Sequence, residues 1–241
     1  MSCREEILSL MKKTHYDFED LVSITRILRS EEGCPWDREQ DHHSTRVCLI
    51  EETYEVAEAI DNEDPALLRE ELGDLLFQIL FHAQIEDEKG VFDVTDVVDD
   101  ISKKMIHRHP HVFGNVQVEN SGEVLKNWEN IKTEEKQRNT LVEKLRAIPP
   151  MMPALMRASK VGKKAGQAAD ATPTELLSAL EARIAQMRED LQNGDATAQV
   201  GALLMSVTDL ARSLNVDAEH ALLQETDRLI ERVAARNDLE N

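Results

Sequence analysis

Residues 72 to 81 read Leu72-Gly73-Asp74-Leu75-Leu76-Phe77-Gln78-Ile79-Leu80-Phe81, and Asp74 is the only charge among them. A helix with this pattern is apolar nearly all round, so the sequence predicts that it is buried. An isolated buried carboxylate is costly unless it is paired or coordinates a metal ion. Asp74 is therefore expected to have a partner close by.

The partner is expected on the preceding helix, which carries Glu52 and Glu55 beside an apolar stripe. A spacing of three places these two carboxylates on one helical face, and it does the same for Glu71 and Asp74. The break at residues 62–65 lies midway between the two pairs. An antiparallel hairpin then brings both pairs to the same height, roughly 14 Å from the turn at about 1.5 Å per residue. Four converging carboxylates repel one another unless hard cations such as Mg²⁺ or Mn²⁺ bridge them, which predicts a metal site.

Two alternatives to this metal site exist for these glutamates. An exposed Glu on a helix usually belongs to a solvated face, and this fits Glu58 and Glu63. Paired carboxylate helices also build di-iron sites, which take imidazole from Glu-x-x-His. No histidine stands three residues after Glu52, Glu55 or Glu71. The pattern therefore favours an all-carboxylate shell for a divalent cation that also binds substrate phosphates.

The whole chain has a helical pattern. Its 241 residues are 41% hydrophobic, and no alternating run is enriched in β-branched and aromatic residues. We therefore predict an all-α fold, with Asp64 and Pro65 as the N-cap and first residue of a helix. The predicted helices cover residues 16–31, 44–61, 65–88, 94–108, 121–138, 151–168, 173–192, 196–213 and 217–236.

Two domains are expected, because all nine aromatic residues lie at or before Trp128. We predict a first domain over residues 1–138, a linker over 139–153 and a second domain over 154–241. When the sequence is aligned with itself at an offset of 128 residues, the apolar positions of the first domain recur in the second. We therefore predict that the two domains are tandem helical-bundle repeats. The four candidate metal ligands of the first repeat align with Leu180, Arg183, Gln199 and Ala202, so the second is a degenerate repeat without the metal site. Lys104 and Arg108 align with Arg232 and Arg236.

Charge and composition exclude several classes of protein. A formal charge of -19 argues against binding to polymeric nucleic acid, which requires many Lys and Arg residues. No run of 18 apolar residues is present, and residues 1–11 lack the pattern of a targeting segment. The three cysteines, Cys3, Cys34 and Cys48, do not form a disulfide framework and are expected to be reduced. We expect a cytoplasmic protein with no membrane partner.

Several residues are candidates for contact with an anionic substrate. Lys104 and Arg108 share one face at the polar end of a helix. They either bind phosphate or only complement the helix dipole. Substitutions at such a surface position are expected to cost little stability. Trp128 lies on an apolar stripe, which suits packing or base stacking, and Trp36 either fills the core or lines a pocket. Glycine-rich phosphate loops are absent. The histidines at 42, 43, 107, 109 and 111 lack the spacing of a zinc site.

The acidic motifs, Glu51-Glu52-x-x-Glu55 and Glu71-Leu72-Gly73-Asp74, resemble the signature of the MazG-type nucleoside triphosphate pyrophosphohydrolases. Further similar stretches together extend over about residues 25–165: Gly33-Cys34-Pro35-Trp36-Asp37, Arg108-His109-Pro110-His111-Val112-Phe113 and the helix from Glu123 to Lys132. The resemblance implies helical hairpins assembled into homodimers or higher homo-oligomers. It also implies Mg²⁺-dependent hydrolysis of a nucleoside triphosphate to a monophosphate and pyrophosphate, a house-cleaning reaction of the nucleotide pool.

The resemblance further implies roles for individual residues. Lys104 and Arg108 contact the triphosphate, and Trp128 is associated with the nucleotide. The expected catalytic set adds Glu51, with Glu51 or Glu70 orienting or deprotonating the attacking water. Two other classes remain open, namely a non-catalytic regulator that binds nucleotide and Mg²⁺, and a helical interaction module. In some members of this family the second repeat is the active one, and this chain departs from them.

Overall fold

The computed structural model describes residues 3–135, 140–190 and 195–240 and divides the chain into two compact units, Met1–Trp128 and Glu129–Asn241. Every regular element in those ranges is a helix, which confirms the predicted all-α fold. None of the helices in the described ranges combines the length and the hydropathy that a membrane span requires. The helices are α1 Cys3–Leu10, α2 Phe18–Arg29, α3 Pro35–Glu39, α4 His42–Asp61, α5 Pro65–Asp87, α6 Val94–Arg108, α7 Pro110–Phe113, α8 Ser121–Glu135, α9 Leu141–Arg146, α10 Ala154–Ala165, α11 Pro173–Asp190, α12 Ala196–Ser213 and α13 Ala218–Glu240.

Most of the predicted helices match these elements closely. The bounds of α6 and α12 are those predicted, and the other long helices differ by a few residues at their ends. The sequence patterns missed four short helices, α1, α3, α7 and α9, because segments of eight residues or fewer show little of the helical period. The predicted helix ends at residues 136–138 and 191–192 lie outside the described residues.

In the first unit, α4 and α5 form an antiparallel hairpin, and α2 and α6 pack against α5. The core gathers Ile27 of α2, Ala59 of α4 and a run on α5 that includes Leu80 and Phe81. The prediction that Asp74 is buried is wrong, since the residue is exposed. The neighbouring helices of this chain cover the C-terminal half of α5, where all its buried residues lie.

The second unit packs α10 against α12 and α13, and α11 against α12. This unit has no aromatic side chains, and side-chain hydrogen bonds connect its helices. Asp209 is buried and accepts hydrogen bonds from Gln167 Nε2 at 2.8 Å and Arg212 Nη2 at 2.7 Å. The Glu219 carboxylate accepts from the N–H of Leu155 at 3.1 Å, which caps α10. Hydrogen bonds of this kind therefore tie the helices of the second unit together.

Candidate active site

The hairpin of α4 and α5 is fixed at its turn. The N–H of Asp64 donates to the Ala59 carbonyl at 3.1 Å. The Asp64 carboxylate accepts from the N–H of Ala66 at 2.9 Å and of Leu67 at 3.1 Å, with Pro65 at the start of the helix. The predicted N-cap is confirmed. Because the turn is held on both sides, the register of the two helices is set.

Carboxylates from the two helices converge within this hairpin. One carboxylate oxygen from each of Glu52, Glu55 and Glu71 lies within 4.8 Å of the other two. The hairpin therefore brings three of the four predicted ligands close together. In the described part of the chain, these three are also the only group of three or more His, Cys, Asp or Glu side chains close enough to share one metal ion. Such a set of hard oxygen donors suits a divalent cation.

The electrostatics of these carboxylates show crowded negative charge. Burial, followed by the charges of Glu55 and Asp74, raises the pKa of Glu52. The same causes in the same order raise the pKa of Glu71, where the charge of Glu70 adds to them. Asp74 is not one of the three residues whose oxygens converge within 4.8 Å, but its charge contributes to both pKa shifts. A cation bound among these groups would offset the repulsion that raises both pKa values.

Two of the predicted substrate-binding residues contact each other. Cζ of Arg108 lies 5.4 Å from the centroid of the Trp128 ring, as in a cation–π contact. Arg108 is only 7% exposed, so the expectation that it lies on a polar surface is wrong. The aromatic ring of α8 packs against this end of α6. Lys104, one turn earlier on α6, is exposed, as predicted.

Trp36 lies on α3, a short helix that the sequence patterns do not predict. Its side chain is 62% exposed, so the ring does not fill the core of this chain. Of the two positions predicted for Trp36, the structure excludes the core of this chain.

A histidine pair on the hairpin was missed by the sequence analysis. The Nδ1 atoms of His42 and His82 lie 2.8 Å apart, their rings stack, and His42 Nε2 is 2.5 Å from Glu86 Oε1. Burial and the nearby His42 lower the pKa of His82. The i, i+4 spacing of His82 and Glu86 places both on one face of α5 and could have indicated a shared partner. That partner, His42, lies on the other helix and is not evident from the spacing. These contacts tie the start of α4 to the end of α5.

The all-α fold and the carboxylate-rich hairpin are typical of helical proteins that bind a divalent metal ion. Comparison with known proteins identifies the family. The family model described as MazG nucleotide pyrophosphohydrolase domain matches residues 40–113. That segment contains α4 to α7, with the acidic hairpin and the basic end of α6.

Relatives extend the similarity over most of the chain. The nucleoside triphosphate pyrophosphohydrolase/pyrophosphatase MazG of Thermotoga maritima is 40% identical over 95% of this chain and 89% of its own length. The nucleoside triphosphate pyrophosphohydrolase of Escherichia coli K12 is 40% identical over 91% of this chain and 89% of its own. A crystal structure of a mazG-related protein from Thermotoga maritima, 31% identical, covers 48% of this chain and 98% of its own, with a TM-score of 0.41. The chain belongs to the MazG family.

Proposed function

We propose that this protein hydrolyses nucleoside triphosphates to nucleoside monophosphates and pyrophosphate at the acidic hairpin. The observation that carries the proposal is the convergence of Glu52, Glu55 and Glu71 within 4.8 Å inside the segment that the family model matches. The names of relatives that are 40% identical over most of the chain support the same reaction. We place the protein in the cytoplasm.

Glu52, Glu55, Glu71 and Asp74 are the proposed ligands of Mg²⁺, with Mn²⁺ as a substitute. Their hard anionic oxygens fit such a cation, and their mutual repulsion favours its binding. Bound Mg²⁺ would polarise the phosphate oxygens and lower the pKa of a water molecule. Glu51 or Glu70 would orient the attacking water or accept its proton.

The positive groups for the triphosphate are assigned to α6. Lys104 is exposed, and Arg108 is held against the Trp128 ring, so its guanidinium has a defined position. Donors with fixed positions stabilise developing phosphate charge better than mobile ones. We assign Trp128 and Trp36 to contact with the nucleoside portion of the substrate, since aromatic rings can stack on a base.

The two cations of α6 should respond differently to substitution. Lys104→Ala is expected to raise KM about tenfold, equivalent to roughly 1.4 kcal/mol, and to leave Tm unchanged because the side chain is exposed. Arg108→Ala should raise KM and also lower Tm by at least about 2 °C, because it removes a buried side chain that stacks on Trp128. Steady-state kinetics and thermal melts check both. Unchanged kinetic constants together with a lower Tm for both variants would contradict substrate binding and would indicate that Lys104 and Arg108 only complement the helix dipole.

Two other classes compete with the enzyme, a nucleotide-binding regulator and a helical module tied by a cation. All three bind Mg²⁺, but only the enzyme consumes nucleotide. The test incubates the full chain with a panel of nucleoside triphosphates in Mg²⁺ or in EDTA and separates the nucleotides by anion exchange. Monophosphate formation in Mg²⁺ alone is expected. Tight nucleotide binding without turnover would identify a regulator, and an absence of binding would favour the helical module.

A homodimer or higher homo-oligomer is the proposed assembly. The hairpin exposes large apolar side chains, with Tyr54 at 51%, Leu72 at 48% and Ile79 at 43%. Apolar surface of this kind on a soluble helical hairpin is typical of an interface. Sedimentation equilibrium tests the proposal, and a monomer at micromolar concentration would contradict it.

We propose that the second unit is a degenerate repeat without a metal site. The positions that align with the four ligands offer one arginine and no carboxylate. Arg232, which aligns with Lys104, pairs with Glu225 on its own helix at 2.9 Å, so this cation is already engaged. Packing or assembly of the oligomer is the remaining role that we assign to this unit.

In the second repeat, Glu181 is the carboxylate closest in sequence to a position that aligns with one of the four proposed ligands. Its replacement tests the proposal that this repeat has no metal site. Glu181→Gln should keep pyrophosphate release within about twofold and should leave the Mg²⁺-induced rise in Tm unchanged, as expected for an exposed substitution. The matched substitution in the first unit is Glu52→Gln. A large loss of activity in Glu181→Gln would place a working site in the second unit.

A further inference from the structure

Arg29, the last residue of α2, donates four hydrogen bonds through its guanidinium. Its side chain is 5% exposed. Nε donates to Oε1 of Glu88 at 2.7 Å, and Nη2 donates to Oε2 at 2.8 Å. This is a bidentate pair, the strong form of arginine–carboxylate contact. Because Glu88 is the C-cap of α5, the pair fastens the end of α2 to the end of α5.

The same guanidinium also holds the segment between α2 and α4. Nη1 donates to the carbonyl of Asp37 at 2.6 Å and to that of Gln40 at 3.1 Å, and the group lies 4.9 Å from the Phe81 ring centroid. The planar fork of arginine can serve a carboxylate and two carbonyls at once, which the single ammonium of lysine cannot reproduce in the same geometry.

The anchored segment carries Trp36. It leaves α2 through a tight turn in which a Cβ at Gly33 would lie 2.0 Å from the Ile27 carbonyl oxygen, so only glycine fits there. Gln40 Nε2 donates to the carbonyl of Trp36 at 3.0 Å, which ties the ends of α3 together. Arg29 therefore anchors the backbone of the segment that carries Trp36.

The contact with Gln40 also reaches the hairpin. The next residue, Asp41, is the N-cap of α4 and accepts from the N–H of His43 at 2.8 Å. Arg29 thus links the start of α4 to the end of α5, at the end of the hairpin opposite the turn. Glu52 lies roughly 17 Å further along α4, at about 1.5 Å per residue. The guanidinium therefore affects the site through these segments and not by contact with the carboxylates.

We propose that Arg29 is a positioning residue for substrate binding, which fixes the Trp36-bearing segment relative to the carboxylate hairpin through its contacts with Glu88, Asp37 and Gln40. Only the expected kinetic effect of this inference depends on the proposed function. Loss of the guanidinium would remove the donors of the Glu88 carboxylate and of the two carbonyls, and would free the α3 segment to move. Nucleotide affinity should fall, while the chemistry at the carboxylates should continue.

The kinetic test uses Arg29→Met, Arg29→Lys and the control Arg26→Met. Arg26 lies one turn earlier on α2 in a more exposed ion pair with Glu6 at 2.5 Å, outside the Arg29 contacts. Arg29→Met should raise KM at least about tenfold, or roughly 1.4 kcal/mol, with kcat within about threefold. Arg29→Lys should recover part of the loss, and the control should match wild type. A fall in kcat with unchanged KM would overturn the inference.

A double-mutant cycle with Trp36→Ala separates positioning from general structural support. If Arg29 acts through Trp36, adding Arg29→Met to Trp36→Ala should change KM little further, because interacting residues are not additive. Multiplied effects on KM would contradict the inference. Should Arg29→Met fail to fold, Glu88→Gln serves instead, since it weakens the same pair at a half-exposed residue.

Fluorescence tests the inference without turnover. The chain has two tryptophans, so Trp128→Phe leaves Trp36 as the only one. In that background Arg29→Met should lower the anisotropy of Trp36 and increase its quenching by acrylamide, and Arg26→Met should change neither. Unchanged anisotropy would refute the positioning role. If the wild-type chain releases no pyrophosphate, the proposed function fails, but this measurement still decides whether Arg29 anchors Trp36.

Discussion

Replacement of Glu52 or Glu71 by glutamine is expected to lower kcat/KM for pyrophosphate release by at least about a hundredfold, or roughly 2.7 kcal/mol of transition-state stabilisation. The two carboxylates belong to the group that converges within 4.8 Å across the hairpin. Glutamine keeps the size of the side chain but removes the anionic oxygen that would hold the cation, the substrate and the attacking water in place.

The control for this effect is Glu58→Gln, an exposed position on the same helix. It should retain activity within about twofold, as surface substitutions generally do. Far-ultraviolet circular dichroism should show unchanged helicity for all three variants, because no core residue is altered. Near-normal turnover by Glu52→Gln or Glu71→Gln at limiting Mg²⁺ would show that the site is misplaced.

Stabilisation by Mg²⁺ is expected to grow with pH. Without a cation, the folded state raises the pKa values of Glu52 and Glu71 above the ordinary 4.5, so folding favours their protonated forms. As pH rises from 4.5 through the raised values, both ionise in the folded state and the repulsion destabilises the metal-free protein. Mg²⁺ binds the ionised carboxylates and removes that repulsion. Its stabilising effect is therefore weak at the acidic end of this window and full above it.

Thermal melts with Mg²⁺ or EDTA across this pH range measure the effect. At a Mg²⁺ concentration near 100 times Kd, binding adds about 2.7 kcal/mol, so Tm should rise by roughly 5 °C or more near pH 7.5 and by less near pH 4.5, the ordinary pKa of a glutamate. Glu52→Gln should abolish most of the rise, and Glu58→Gln should preserve it. An equal rise at both pH values, or an equal rise in Glu52→Gln, would contradict metal binding by this group.

The sequence was sufficient to predict the hairpin because its determinants are local. The break at residues 62–65 sets the turn, and the spacing of three sets the acidic faces, so the convergence of Glu52, Glu55 and Glu71 follows from helix geometry. The bounds of α6 and α12 followed equally well from their breaks and periodicity.

The sequence failed where the outcome depends on which elements meet. Periodicity showed that α5 is apolar nearly all round but not which part of it the neighbouring helices cover, and the burial of Asp74 was therefore predicted wrongly. Arg108 was predicted to be a surface residue because the sequence does not show that Trp128, on a later helix, packs beside it. The contact of Arg29 with Glu88 joins residues far apart in the chain, and no spacing rule reveals it.

The most direct test of the central claim is ³¹P NMR of the full chain acting on a nucleoside triphosphate with Mg²⁺ in ¹⁸O-enriched water. We predict resonances of a nucleoside monophosphate and pyrophosphate in equal amounts, with the ¹⁸O shift on one of the two products marking the phosphorus attacked. Resonances of a nucleoside diphosphate and orthophosphate, or an unchanged triphosphate, would contradict pyrophosphohydrolase activity.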